Sequence, residues 1–482
     1  MNSAWVYTLV LFVYFGVLLA IGFITRRKTK STTDYHIGGR SIGAFVSAFS
    51  FVSAYYSSVV IIGGGGFGYK YGMSTIWIGA TNVLVGCFLA WVILGKRARK
   101  LSKKLNAVTI PDFFGKLYNS NFAKLFSALI ISVFLVIYNV SILKGLGNTF
   151  EVLLDIPYLW GLIISGVIVL IYVSLGGYFA VVWTGFIQGL IMVFGLILLL
   201  FVTLNKVGGL TTGVHSLGEI SKGFVETPGI WGLPGLLSYA LVVSFGVWGM
   251  PQMLVRFYSI KSDKAIKIGT LLATIGSAMA VIPYLVGALS RILYPNIANA
   301  DLAIPTLVKD IMSPISGSIF FSAVIAAGMS TFSAVLIILV GSLIRDLVKD
   351  SFGAKLSDRR ELFWCRTSNI LIGIISIIIA IKPPGLILVL TAFSWAVIAS
   401  TCLAPFLMGL YWRGVTKAGV ISAMIGGSVT SLVWMALRQP FGLHGFIPGI
   451  IVSFILIIVV SRCKFKILIR SKREEKSEKR IC

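Results

Sequence analysis

Ile325-Ala326-Ala327-Gly328-Met329-Ser330-Thr331-Phe332-Ser333 lies inside a hydrophobic stretch long enough to cross a membrane. Polar side chains at that depth must find partners. Ala327, Ser330 and Thr331 are spaced i, i+3, i+4, so one face of a helix presents a backbone carbonyl and two hydroxyls together. Hard oxygen ligands suit a hard alkali cation. The alternative is local: each hydroxyl bonds back to the preceding turn, as Ser and Thr do in many membrane helices.

Outward from this stretch, apolar runs of about 20 residues, the length of one helical crossing, recur along the whole chain. Thirteen are legible, near 3–25, 41–68, 73–95, 122–148, 158–176, 179–204, 232–256, 266–292, 313–344, 365–382, 384–412, 417–437 and 443–461. With 57 % hydrophobic and 12 % charged residues and a mean hydropathy of +0.95, the chain has too little polar surface to cover a soluble core. It is expected to be an all-α integral membrane protein. Residues 1–463 form a single transmembrane domain and 464–482 a basic cytoplasmic tail, leaving no room for a separate catalytic or signalling domain.

The charge pattern gives an orientation. If the N-terminus is outside and spans alternate, all but eight of the 42 Lys and Arg residues fall on the inner side; the eight are Lys70, Lys144, Lys206, Lys222, Arg291, Lys309, Lys382 and Arg438. That bias is the positive-inside rule. The net charge of +26 therefore reads as topology and contact with anionic membrane lipid, not as nucleic-acid binding. The first span lacks a basic flank before it and a small-residue cleavage site, so it reads as a retained span.

None of the sixteen acidic residues lies at the centre of a span, which disfavours a proton relay through a buried carboxylate. The five cysteines have no metal-ligand spacing, and His36, His215 and His444 fall in loops or span ends, where solvated side chains are expected. No catalytic constellation is present in the sequence, so an enzyme is not expected. An ion held by carbonyls and hydroxyls remains.

A second irregular stretch runs Phe49-Ser50-Phe51-Val52-Ser53-Ala54-Tyr55-Tyr56-Ser57-Ser58, followed by Gly63 to Gly66. Polar residues mid-span with four glycines beyond them make a poor continuous helix. Broken helices at membrane depth line cavities, and their freed carbonyls bind cations. The competing explanation is a glycine-rich face for close helix packing.

Tyr35-His36-Ile37-Gly38-Gly39-Arg40-Ser41, Tyr69-Lys70-Tyr71-Gly72, Gly176-Gly177-Tyr178, Trp248-Gly249-Met250-Pro251-Gln252 with Arg256-Phe257, and Ala327 to Ser333 together resemble, in order, the sodium:solute symporter family. Stretches such as Asn106-Ala107-Val108-Thr109 and Gly409-Leu410-Tyr411-Trp412 look most like its sodium/pantothenate branch. The resemblance implies a leucine-transporter-type fold with two inverted five-helix repeats, about 41–204 and 232–412. It implies sodium-coupled uptake of a small organic solute bearing a carboxylate, such as pantothenate, proline or a monocarboxylate. Carried over by position, the sodium ligands are the carbonyls of Ser53, Tyr56 and Ala327 and the hydroxyls of Ser330 and Thr331. Residues expected to line the substrate site are Ser57, Ser58, Tyr138, Asn139, Ser244, Trp248, Ser394 and Trp395, each equally open to a packing role. A monomeric functional unit in the cell membrane is expected.

Two departures qualify the resemblance. Tyr55 stands where many members carry an acid in the second span, and Gly185 stands where an Asp often follows Trp-Thr. The missing acid at 185 points to one sodium per cycle. The alternatives are a proton-coupled amino-acid carrier on the same fold and a membrane sensor that binds solute without moving it.

Overall fold

The computed structural model describes residues 4–351, 353–354, 356–383 and 387–478. Its long helices are α1 (Ala4–Arg26), α2 (Ala44–Tyr55), α3 (Val59–Tyr71), α4 (Met73–Lys104), α5 (Asn121–Leu154), α6 (Tyr158–Lys206), α7 (Gly229–Gly249), α8 (Pro251–Ser259), α9 (Asp263–Leu293), α10 (Pro314–Asp350), α11 (Asp358–Ile381), α12 (Ile387–Tyr411), α13 (Lys417–Ala436) and α14 (Phe446–Glu478). The only strand-like pairing among the described residues is one bridge between Ile42 and Ile260.

Eleven helices are long and apolar enough to span a membrane, and α2 with α3 makes a twelfth crossing bent by 51°. Helix α6 has 49 residues, roughly 75 Å at 1.5 Å per residue, more than twice one hydrocarbon core. Its backbone breaks at Gly177, where φ is 55° and ψ −142°. Only glycine accepts that pair readily, and a Cβ there would stand 2.7 Å from Tyr35 Cδ2. Split at Gly177, α6 is long enough for two spans, which takes the eleven or twelve spans of the described residues close to the thirteen that the run lengths indicate. The tail expected over 464–482 continues α14 as far as Glu478, and residues 479–482 lie outside the described residues.

Helix α10 is the hub. The most apolar part of it is wholly buried inside the protein, whereas the corresponding parts of α1 and α14 are 28 % buried. A helix enclosed on all sides is apolar all round, so its few hydroxyls are conspicuous. It packs on α2, α5 and α6.

The glycines after the break serve packing. A Cβ at Gly68 would meet the carbonyl oxygen of Tyr284 at 2.1 Å, and one at Gly287 would meet the carbonyl oxygen of Gly65 at 1.9 Å. Helices α3 and α9 thus touch backbone to backbone. Both explanations of this stretch hold, at different residues: the chain breaks at Tyr56 to Ser58, and the glycines seat the second half.

Ion pairs tie the helix ends on the basic side. Lys124 Nζ lies 3.5 Å from both Asp112 Oδ1 and Asp346 Oδ1 and also pairs with Asp350, while Thr109 Oγ1 donates to Asp346 Oδ1 at 2.9 Å. Glu361, fully buried, is held by Arg345 at 3.4 Å and by Lys349. His36 is also buried here, 3.9 Å from Glu361. Burial, with Arg345 and Lys349 nearby, pushes its pKa down to about 3, so the ring is neutral. His444, in the loop before α14, is buried against Tyr239, and burial lowers its pKa to about 4. These two histidines correct the expectation of solvated side chains: membrane helices pack their short loops into crevices between helix ends. His215 is exposed as expected.

Candidate functional site

Helix α2 stops at Tyr55 because the next residues leave helical geometry: Tyr56 has φ −94° and ψ 81°. The N–H groups of Val60 and Ile61 then take the carbonyl of Ser57, and Val59 N–H takes Ser57 Oγ at 3.2 Å, which starts α3. The last-turn carbonyls of α2 are thereby released from helical bonding and carry the partial negative charge of a helix C-terminus. They point at α10. Ser330 Oγ donates to the carbonyl of Ser53 at 2.7 Å, and Thr331 Oγ1 to the carbonyl of Ala54 at 3.2 Å.

Both hydroxyls also lie 3.0 Å from the carbonyl oxygen of Ala327. The local back-bond and the cross-helix contact therefore coexist. A hydroxyl has one proton and two lone pairs, so each proton is shared between the α2 carbonyl and Ala327, and with a cation present it can go to Ala327 while a lone pair faces the ion. The result is a cluster of neutral oxygens, Ser53 O, Ala54 O, Ala327 O, Ser330 Oγ and Thr331 Oγ1, buried and without a carboxylate among them. Such a set suits a weakly charged hard cation.

The structure brings together four of the five expected ion ligands. The Tyr56 carbonyl receives neither hydroxyl: among the described residues the two bond to Ser53, Ala54 and Ala327, which adds Ala54 to the oxygens gathered here. Ala54 precedes the break and is still helical, so its carbonyl follows that of Ser53 at the C-terminal end of α2. Gly185 packs on the same helix: a Cβ there would lie 2.8 Å from Ser50 Oγ and 3.1 Å from Ser53 Oγ.

Beside the break is a cavity lined by Tyr55, Ser57, Asn82, Tyr138, Thr391 and Trp395, with apolar residues of α3 and α7. Tyr55 stacks on Tyr56 at 4.5 Å between ring centres, and Tyr138 meets Trp395 edge-on at 5.9 Å. The space is narrow, about 40 Å³ for a water-sized sphere, so a solute must part the aromatic walls.

Ser57, Tyr138 and Trp395 are thus placed in this lining. Ser58, Asn139 and Ser244 are buried outside it, with Ser58 Oγ, Ser244 Oγ and both Asn139 amide atoms unpartnered among the described residues. Ser394 Oγ bonds back to Leu390 O at 3.0 Å. Trp248 Nε1 donates to Val85 O at 3.0 Å, and its ring lies on an apolar groove shared by α7, α12 and α14. Both make packing contacts here. Sequence reasoning missed Asn82 and Thr391, polar residues within largely apolar runs. Asn82 Oδ1 accepts from the Tyr55 hydroxyl, which also reaches Val243 O at 2.9 Å. A lone Asn at membrane depth was the available signal.

Comparison with known proteins adds three findings. The family model described as "Sodium:solute symporter family" matches residues 35–427. An osmoregulated proline transporter of Bacillus subtilis is 31 % identical over 459 residues, 93 % of each chain, and a sodium/proline symporter of Staphylococcus aureus is 31 % identical over 481 residues, 96 % of this chain and 93 % of that one. Among solved structures, a Na+-coupled sialic acid symporter superposes with a TM-score of 0.81 at 18 % identity, covering 95 % of this chain and 98 % of that one. MhsT in complex with L-phenylalanine gives 0.57 at 15 %, covering 87 % and 98 %. At those identities the structures speak for the fold alone, which is the leucine-transporter type. Ordered motifs, full-length alignment and fold agree: the chain belongs to the sodium:solute symporter family, and its work is sodium-coupled solute transport, not catalysis.

Proposed function

We propose that the oxygen cluster between α2 and α10 is the sodium site, and that the cavity beside the break receives a small carboxylate-bearing solute of the proline class. The observation that carries this reading is the contact of Ser330 and Thr331 with Ser53 and Ala54, which couples the end of a broken helix to the buried hub. Sodium between them would replace two hydrogen bonds and fix α2 against α10, shaping the adjoining cavity. The relatives compared above are named as proline carriers, which moves the expected cargo from pantothenate to proline.

The start of α3 supports a carboxylate. Ser57 Oγ caps Val59 N–H at 3.2 Å, and a carboxylate entering the cavity can take over that donor at the positive end of the half-helix. In proteoliposomes with labelled proline, unlabelled small carboxylates are expected to compete and free sugars are not. Displacement by sugars alone would reject this reading of the cavity.

With Gly185 in place of an acid and no carboxylate in the oxygen cluster, one sodium per cycle is expected, with a sodium Hill coefficient near one. Charge movement then reports the cargo. Proline is zwitterionic, so one positive charge crosses per cycle and inside-negative potential accelerates uptake; an anionic cargo such as pantothenate would move no net charge. Two sodium ions per turnover by reversal potential would contradict the single-site proposal. We further propose repeats of about 41–204 and 232–412, an outside N-terminus, a cytoplasmic C-terminus and a monomeric transport unit.

A further inference from the structure

Arg256, on α8, is 2 % exposed. Its Nη1 donates to Ser50 Oγ, its Nε has no partner, and among the described residues no carboxylate stands within ion-pair distance of it. Lys124, the other buried basic side chain described, has three. Charges in protein interiors are kept where something opposite pairs with them. The titratable group that acts on it electrostatically is the Tyr178 hydroxyl, itself bonded to Ser259 Oγ at 3.1 Å.

The surroundings of the guanidinium are small and polar. Ser50 joins the arrangement, because it touches both Arg256 and Gly185: Ser50 Oγ and Ser53 Oγ lie 2.8 and 3.1 Å from where a Cβ at 185 would be, and Ser50 Cα lies at 3.4 Å. Ser53 in turn gives its carbonyl to Ser330 at 2.7 Å. A row Arg256, Ser50, Ser53 therefore runs from an unpaired cation to the oxygen cluster. Sodium bound at that cluster would add a second positive charge to the same low-dielectric neighbourhood, where like charges repel strongly. An anion relieves both.

We infer that Arg256 is an anion-receiving residue: a small monovalent anion, chloride or a carboxylate, pairs with its guanidinium beside Ser50 and Gly185. The space beside Gly185 is filled by Ser50 Oγ and Ser53 Oγ, so the anion enters where Ser50 Oγ rotates aside, and the rotated serine hydroxyls can donate to it.

The test uses the purified full chain in detergent without any cargo, so its outcome is independent of what the transporter carries. Thermal unfolding is followed at fixed sodium and ionic strength in chloride, acetate or gluconate, the last too bulky for the niche. Chloride or acetate is expected to raise the midpoint by about 2 °C or more over gluconate. A response to chloride alone identifies a halide site, and one to acetate alone identifies a carboxylate site; either supports the inference. Arg256→Gln is expected to abolish the difference and Arg256→Lys to retain part of it. Gly185→Asp leaves the arginine in place and supplies a tethered carboxylate, which Ser50 Oγ can rotate to admit, so the difference is also expected to vanish. If Arg256→Gln does not fold, Gly185→Asp decides. Equal midpoints in all three salts for the unmodified protein, or an anion response that survives Gly185→Asp, overturns the inference.

Discussion

Replacing Ser330 and Thr331 together by alanine is expected to raise the sodium concentration for half-maximal transport by up to about a hundredfold, roughly tenfold or ~1.4 kcal/mol for each hydroxyl. Each substitution removes one oxygen from the cluster facing Ser53 and Ala54 and leaves α10 intact, since alanine is a good helix former. The two hydroxyls share the Ala327 carbonyl, so their effects are not independent and the double variant falls short of the full product. Uptake measured against sodium concentration, with surface expression checked, reads the effect. Sodium activation unchanged in both single variants would remove the site from α10.

Gly177→Ala is expected to cost the fold at least about 3 kcal/mol and to leave little monodisperse protein. Two causes add. The backbone at 177 has φ 55° and ψ −142°, which alanine reaches only under strain, and the new Cβ would lie 2.7 Å from Tyr35 Cδ2 and 3.1 Å from the Tyr35 carbonyl oxygen. If residue 177 relaxed into a helix, the two spans of α6 would become one rod too long for a bilayer. Gly16→Ala is the control, because nothing lies within 4 Å of a Cβ there and no loss is expected. A thermal midpoint for Gly177→Ala equal to that of the control would show that the kink is not fixed by glycine.

The spans are legible in the sequence because bilayer thickness sets their length, and the i, i+3, i+4 spacing of Ala327, Ser330 and Thr331 by itself puts three oxygens on one helical face. The partner face is less legible. Ser53 follows from resemblance, but whether Ala54 or Tyr56 accompanies it depends on the residue at which α2 leaves helical geometry, and the run of Tyr and Ser from 55 to 58 offers no single stop signal. Asn82 is visible as an Asn at membrane depth, but that it and Thr391 line one cavity depends on α4 and α12 both bordering it, which no local pattern shows. The same holds for His36: its neutrality is set by burial and by Arg345 and Lys349, which are distant in sequence. Gly185 is visible as a departure from the family pattern, whereas its contact with Ser50, and so with Arg256, requires the packing of α2 against α6 and α8.

The most direct measurement is binding of radioactive sodium to the purified protein, read by scintillation proximity. Saturable binding of one sodium per chain, shifted roughly tenfold to higher sodium concentration in Thr331→Ala and in Ser330→Ala, is the result expected if the freed carbonyls of α2 and the hydroxyls of α10 hold the ion. Unshifted binding in both variants would contradict it.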